Sequence, residues 1–165
     1  MAEKLSFRVN DHVVYPSHGV GKVTGVESQI IGETKLRFFV VDFEHDKMTL
    51  RVPVGKAEGA GMRKLSSPSQ MKNALSTLKR RARVKRVMWS RRAQEYETKL
   101  HSGNPVSIAE VVRDLHSGRT QSEQSYSERQ MYEAALERLA REFAAIEKIE
   151  PEAAAQKLEK VLSAA

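Results

Sequence analysis

The chain has no cysteine among its 165 residues. A disulfide framework, a thiolate metal site and a thiol nucleophile are therefore all excluded. A reducing, intracellular compartment suits such a composition. Long apolar runs are also missing: none exceeds four residues, as at Phe38–Val41 and Phe143–Ile146, too short for a membrane-spanning helix. The opening MAEKLSFRVND lacks the apolar core of a signal peptide. These absences lead to the expectation of a soluble cytoplasmic protein with no membrane partner. Aromatic residues make up only 6% of the chain and Trp89 is its single tryptophan, so the setting of that indole is informative.

What the chain does have is localised positive charge. Its net charge is +7. Residues 1–65 carry 10 basic and 8 acidic groups, residues 66–116 carry 11 and 4, and residues 117–165 carry 7 and 9. The excess thus lies in the middle segment, where KRRARVKRVMWSRR (residues 79–92) holds eight Lys or Arg and no acid. Concentrated charge of this kind points to a polyanionic partner, although it does not separate DNA from RNA or anionic lipid.

Residues 1–65 read as β-structure. A short strand lies in FRVNDHVVYP, ended by Pro16, followed by GVGKVTGVESQII, a turn at Gly32, and TKLRFFVVDFE. A reversal at His45 and Asp46 then leads into KMTLRVPV, where Met48, Leu50, Val52 and Val54 alternate with Thr49, Arg51 and Pro53. Arg51 therefore points away from a core, and Pro53 favours a sheet edge or a strand end. Four or five short strands with tight turns predict a small barrel or strongly bent sheet.

Residues 66–165 read as helical. Ser67, Pro68 and Gln70 form a capping-box pattern opening a helix to about Lys79, while residues 80–87 are ambiguous. A helix over Trp89–Leu100 is stopped by Gly103. Asn104 and Pro105 start another, with Ile108, Val111, Val112 and Leu115 on one face. HSGRTQSEQS reads as a polar linker. Ser125 or Ser127 then caps a long helix with Tyr132, Leu136, Leu139, Phe143 and Ile146 inward, and Pro151 opens a last helix bearing Leu158, Val161 and Leu162. The expected fold class is α+β in two domains: a β-domain over 1–65 and a compact all-helical domain over 66–165.

Candidate catalytic residues are sparse. Glu44, His45 and Asp46 adjoin one another, with His12 and His18 upstream. Neighbouring strand residues face opposite sides, and a turn favours such polar residues for backbone reasons. No helical His pair, nucleophile elbow or phosphate loop is present, and GVGKVTG precedes no helix. The expectation is no enzyme, no metal and no cofactor. The long helix over 127–148 is core rather than a coiled-coil seam.

The basic run is the sharper feature because the tryptophan lies within it. Lys and Arg there would neutralise phosphates with salt-sensitive, largely non-specific affinity. An indole beside them could stack on an exposed base or wedge a distorted minor groove. Equally, the ring could pack into the helical core while the charges extend into solvent. The spacing leaves both readings open.

VNDHVVYPSHGVGKV near the start, RVPV at 51–54, WSRR at 89–92 and AEVVRDL at 109–115 resemble, in order and spacing, the CarD/CdnL family of bacterial transcription regulators. The resemblance covers almost the full length. It implies a Tudor-like barrel that binds the RNA polymerase β subunit by an exposed strand edge, similar to the polymerase-interacting module of transcription-repair coupling factors. It also implies a helical domain that contacts promoter DNA at the upstream fork of the transcription bubble, where a tryptophan wedge slows collapse.

By match, Arg51 and Pro53 lie on the polymerase-facing strand with Val40 on its neighbour, and Gln29 and Ile31 are further candidates for the same contact. Trp89 is by match the wedge, and Arg91 and Arg92 flank it; Arg83, Lys85 and Arg86 of the basic run are further candidates for DNA contact, outside that match. Gln29 stands where some relatives carry arginine, and Gln94 where some carry lysine. Arg80, Arg81, Arg83, Lys85 and Arg86 make the run richer in charge than the family pattern. The implied protein is a monomer that reaches the nucleoid through the polymerase. Its rivals are a ribosome-associated RNA-binding protein and, third, a hydrolase using His45 with Glu44 or Asp46.

Overall fold

The computed structural model describes residues 7–16, 18–44, 46–80, 88–119 and 126–164, with backbone alone for residues 117–119 and 164. The chain divides into two compact units between Leu65 and Ser66. Among the described residues the fold is α+β, an antiparallel five-stranded sheet followed by five α-helices.

The sheet comprises β1 (His12–Tyr15), β2 (Gly19–Ile31), β3 (Thr34–Phe43), β4 (Met48–Pro53) and β5 (Arg63–Lys64), in the order β4-β3-β2-β1-β5. Strand β2 pairs with β1 over Gly19–Lys22 and with β3 over Lys22–Ile31. A bulge between Val23 and Gly25 shifts the register between these stretches. An extra residue of this kind bends a strand and increases its local twist. Gly21 makes the close packing possible, because a Cβ there would lie 2.8 Å from side-chain carbons of Phe43 and Val41.

Residues Phe7, Val13, Val23, Phe39, Val41, Phe43, Val52, Val54, Ala57 and Met62 form the core of this unit. The alternation expected over 48–54 holds through Pro53, whereas Val54 is buried within a 3-10 turn at Val54–Lys56. That turn and the two-residue β5 have no periodicity to reveal them in sequence. Strand β4 lies at one sheet edge, where Pro53 need not donate to a further ladder.

The helical unit comprises α1 (Pro68–Leu78), α2 (Trp89–Leu100), α3 (Pro105–Arg119), α4 (Tyr126–Glu147) and α5 (Pro151–Ala164). The predicted capping box is present at α1: Ser67 Oγ accepts from the Gln70 N–H, and Gln70 Oε1 accepts from the Ser67 N–H. Helix α3 packs against α1, α2 and α4, burying Ile108, Ala109, Val111, Val112 and Leu115. Tyr132, Leu139 and Leu158 lie fully within the same core, contributed by α4 and α5.

Two readings require correction. The linker expected from His116 begins later, because α3 continues to Arg119; helix propagation from a buried Leu115 outweighs the weak propensity of Ser117 and Gly118. Ser127 lies inside α4 rather than capping it, and Ser125 falls outside the described residues.

Candidate protein-binding strand face and nucleic-acid interface

The β-ladder register brings five candidate residues to one face. Glu27 pairs with Phe38 and Phe38 with Pro53, while Val40 pairs with Arg51. Gln29 pairs with Leu36, and Ile31 with Thr34. Residues directly opposite each other share a face, and that face repeats every second residue. Gln29, Ile31, Val40, Arg51 and Pro53 therefore stand on the side away from the Phe39, Val41 and Val52 core. Leu36 and Phe38, not anticipated from sequence, complete an apolar stripe there; Leu36 is 38% exposed and Ile31 55%. Val40 retains only 8% exposure, so little of its side chain is open to contact.

On this face Arg51 donates from Nε to Glu27 Oε2 at 2.9 Å, spanning β3. The hydrogen bond and charge of Glu27 raise the Arg51 pKa above its ordinary value; like any arginine it is a cation at neutral pH, here paired with Glu27 beside the apolar stripe.

The candidate acid–base residues do not converge. His18 stacks on Tyr15 at 5.7 Å and tilts against Phe43 at 5.4 Å, making it part of an aromatic group. His45 lies outside the described residues. Among the described residues, no three His, Asp or Glu side chains group as metal ligands. No helix among them is long and apolar enough to cross a membrane.

Trp89 is the first residue of α2. Met88 occupies the cap position, 78% exposed, and among the described residues no side chain caps the helix or places an acid in its first turn. Uncapped N–H groups and the helix dipole favour an anion at such an end. Trp89 is half-buried against the helical core and neighbours Tyr96, with ring centroids 6.2 Å apart and tilted 50°. Both prior readings of the indole thus describe part of it: some of the ring packs inward and the remainder stays accessible.

The two arginines after Trp89 differ. Arg91 is exposed. Arg92 is half-buried, with its guanidinium carbon 5.5 Å from the Trp89 ring centroid and 5.8 Å from that of Tyr96. It donates from Nη2 to the Tyr96 hydroxyl at a long 3.5 Å, and its buried Nε has no hydrogen-bond partner among the described residues. The spacing carries this arrangement, since residue 92 is three after 89 and four before 96, the separations that meet on a helix.

Helix α2 is held in place along its length. Tyr96 and Leu100 are buried in the core, Lys99 pairs with Glu110 of α3 at 2.9 Å, and Arg138 of α4 donates to the Leu100 carbonyl at 3.4 Å. Behind it, the Arg113–Asp114 pair of the AEVVRDL motif is buried at 2.9 Å. Arg83, Lys85 and Arg86 lie outside the described residues.

The β-unit thus carries an ion pair and an apolar stripe on its outer face, and the helical unit a basic helix end bearing an indole. The CarD, C-terminal domain family matches residues 73–159, and the CarD-like/TRCF RID domain family matches residues 7–66. The chain belongs to the CarD family. It is 27% identical over 143 residues to "Putative transcription factor YdeB" of Bacillus subtilis (strain 168), covering 87% of this chain and 94% of that protein. The solution NMR structure of the 72-residue N-terminal domain of Myxococcus xanthus CarD is 35% identical, covers 38% of this chain and 84% of its own, and has a TM-score of 0.32.

Proposed function

We propose that this protein is a non-enzymatic transcription regulator that binds RNA polymerase through its sheet and stabilises the promoter open complex through its helical domain. Support for polymerase binding comes from the family of the β-unit and the outward Arg51, which lies at the β4 edge two residues from Pro53, on the face that Phe38 and Val40 share. The partner surface is the polymerase β subunit. An exposed strand edge with alternating side chains is suited to protein recognition by strand addition.

The observation that carries the DNA half is Trp89: a part-accessible indole fixed at the uncapped start of α2, directly after the most basic run of the chain. Docking on polymerase raises the local concentration of this helix end at the upstream fork. The positive helix end and Arg91 hold backbone phosphate, and the indole occupies the opened base step. Stacking of this type contributes about 1–3 kcal/mol per base, and the equilibrium shifts only by the difference in affinity for open and closed DNA. Sequence preference is slight, because phosphate contacts carry little base information. The protein acts as a monomer.

Affinity capture from a bacterial extract tests the partner. Recovery of polymerase, lost with Arg51→Glu, supports this function; recovery of ribosomal RNA without polymerase favours an RNA-binding role.

A further inference from the structure

We infer that Arg92 is a positioning residue for the Trp89 indole and not a phosphate ligand, leaving Arg91 as the cation of WSRR that meets nucleic acid. The inference refines the DNA-facing role proposed for Trp89. A guanidinium seeking phosphate extends from the surface with its donors in water. The Arg92 guanidinium instead lies within 6 Å of two ring centroids, 5.5 Å for Trp89 and 5.8 Å for Tyr96. A planar cation over a ring face is attracted by the ring quadrupole, most strongly for indole.

Three features show that this position is built into the helix. Arg92 meets Trp89 one turn back and Tyr96 one turn on, so the contact needs no rearrangement of α2. Tyr96 is buried at 6% exposure and is thereby a fixed anchor. The Arg92 Nε lies buried without a hydrogen-bond partner among the described residues, so its contacts there are with the two rings. The guanidinium thus ties the tryptophan to the buried tyrosine and restricts the directions open to the indole. Rigid presentation lowers the ordering cost when a side chain engages its target.

Lysine retains the charge but not the plane, so Arg92→Lys separates positioning from electrostatics. Because Trp89 is the only tryptophan, its emission in the free, full-length protein reports the indole without labels. Arg92→Lys and Arg92→Met are expected to increase acrylamide quenching and lower the anisotropy of Trp89, with wild-type far-ultraviolet circular dichroism. Arg91→Met should leave both fluorescence readings unchanged.

In fork-DNA binding, Arg91→Met is expected to reduce the salt slope by about one and Arg92→Lys to leave it unchanged. Wild-type quenching in both Arg92 variants would overturn the inference, as would a loss of one unit of slope in Arg92→Met. Trp89→Ala, assayed for open-complex lifetime, separates the two claims. An unchanged lifetime defeats the DNA role of Trp89, while fluorescence still decides whether Arg92 holds the ring.

Discussion

Arg51 and Glu27 belong to strands that are not neighbours, yet they meet across β3 at 2.9 Å between Nε and Oε2. Both side chains remain about half exposed, at 51% and 46%. An exposed pair of this kind contributes little to folding, so removing it should not unfold the β-unit.

Arg51→Glu should abolish capture of the polymerase β subunit while leaving the thermal midpoint unchanged. The exchange Arg51→Glu with Glu27→Arg restores the pair but moves the cation from the β4 edge to β2. Isothermal titration with the β subunit should therefore show no recovery in the double variant. Full recovery would mean that the pair matters and the position of the cation does not.

Glu142 of α4 accepts a hydrogen bond from the Ser66 N–H at 2.8 Å, with both residues buried. Glu142→Ala removes that acceptor from the start of the helical unit. Loss of a buried partner of this kind costs about 1–3 kcal/mol. Urea denaturation followed by circular dichroism should show an unfolding free energy lower by that amount, with a correspondingly lower midpoint.

Gly21→Ala introduces a methyl group 2.8 Å from carbons of Phe43 and Val41. Phe43 and Val41 are core residues and cannot move aside freely. Overpacking of this type costs about 1–3 kcal/mol. Amide exchange should accelerate across the strands, and the loss should be confined to the β-unit.

Much of this architecture was legible in the sequence where local rules and burial agree. Strand β2 runs over the predicted GVGKVTGVESQII, and α2 over the predicted Trp89–Leu100. Both are bounded by glycine or proline, or follow the periodicity of a single buried face. Legibility ended where tertiary packing decides. His116 and the Ser117–Gly118 pair read as linker, yet α3 carries on through them.

At the sites, alternation placed Arg51 and Pro53 correctly on an outer face. It could not reveal that Val40 on that face is 8% exposed, or that Leu36 and Phe38 extend it. Arg91 and Arg92 looked equivalent because adjacency in sequence conceals rotation about a helix. The spacing from Trp89 to Arg92 to Tyr96 held the distinction, but only the burial of Tyr96 determines which arginine turns inward.

The central claim is that Trp89 stabilises opened promoter DNA. Its most direct test is the lifetime of an open complex formed by purified polymerase, measured without the factor, with wild type and with Trp89→Ala. Removing a stacking contribution of about 1–3 kcal/mol shortens a lifetime by roughly fivefold to more than a hundredfold if it acts wholly on closure. The expected result is that wild type prolongs the lifetime, whereas Trp89→Ala binds polymerase equally well and does not. Equal prolongation by a folded Trp89→Ala would contradict the claim, leaving the indole a core residue and the basic run an electrostatic tether.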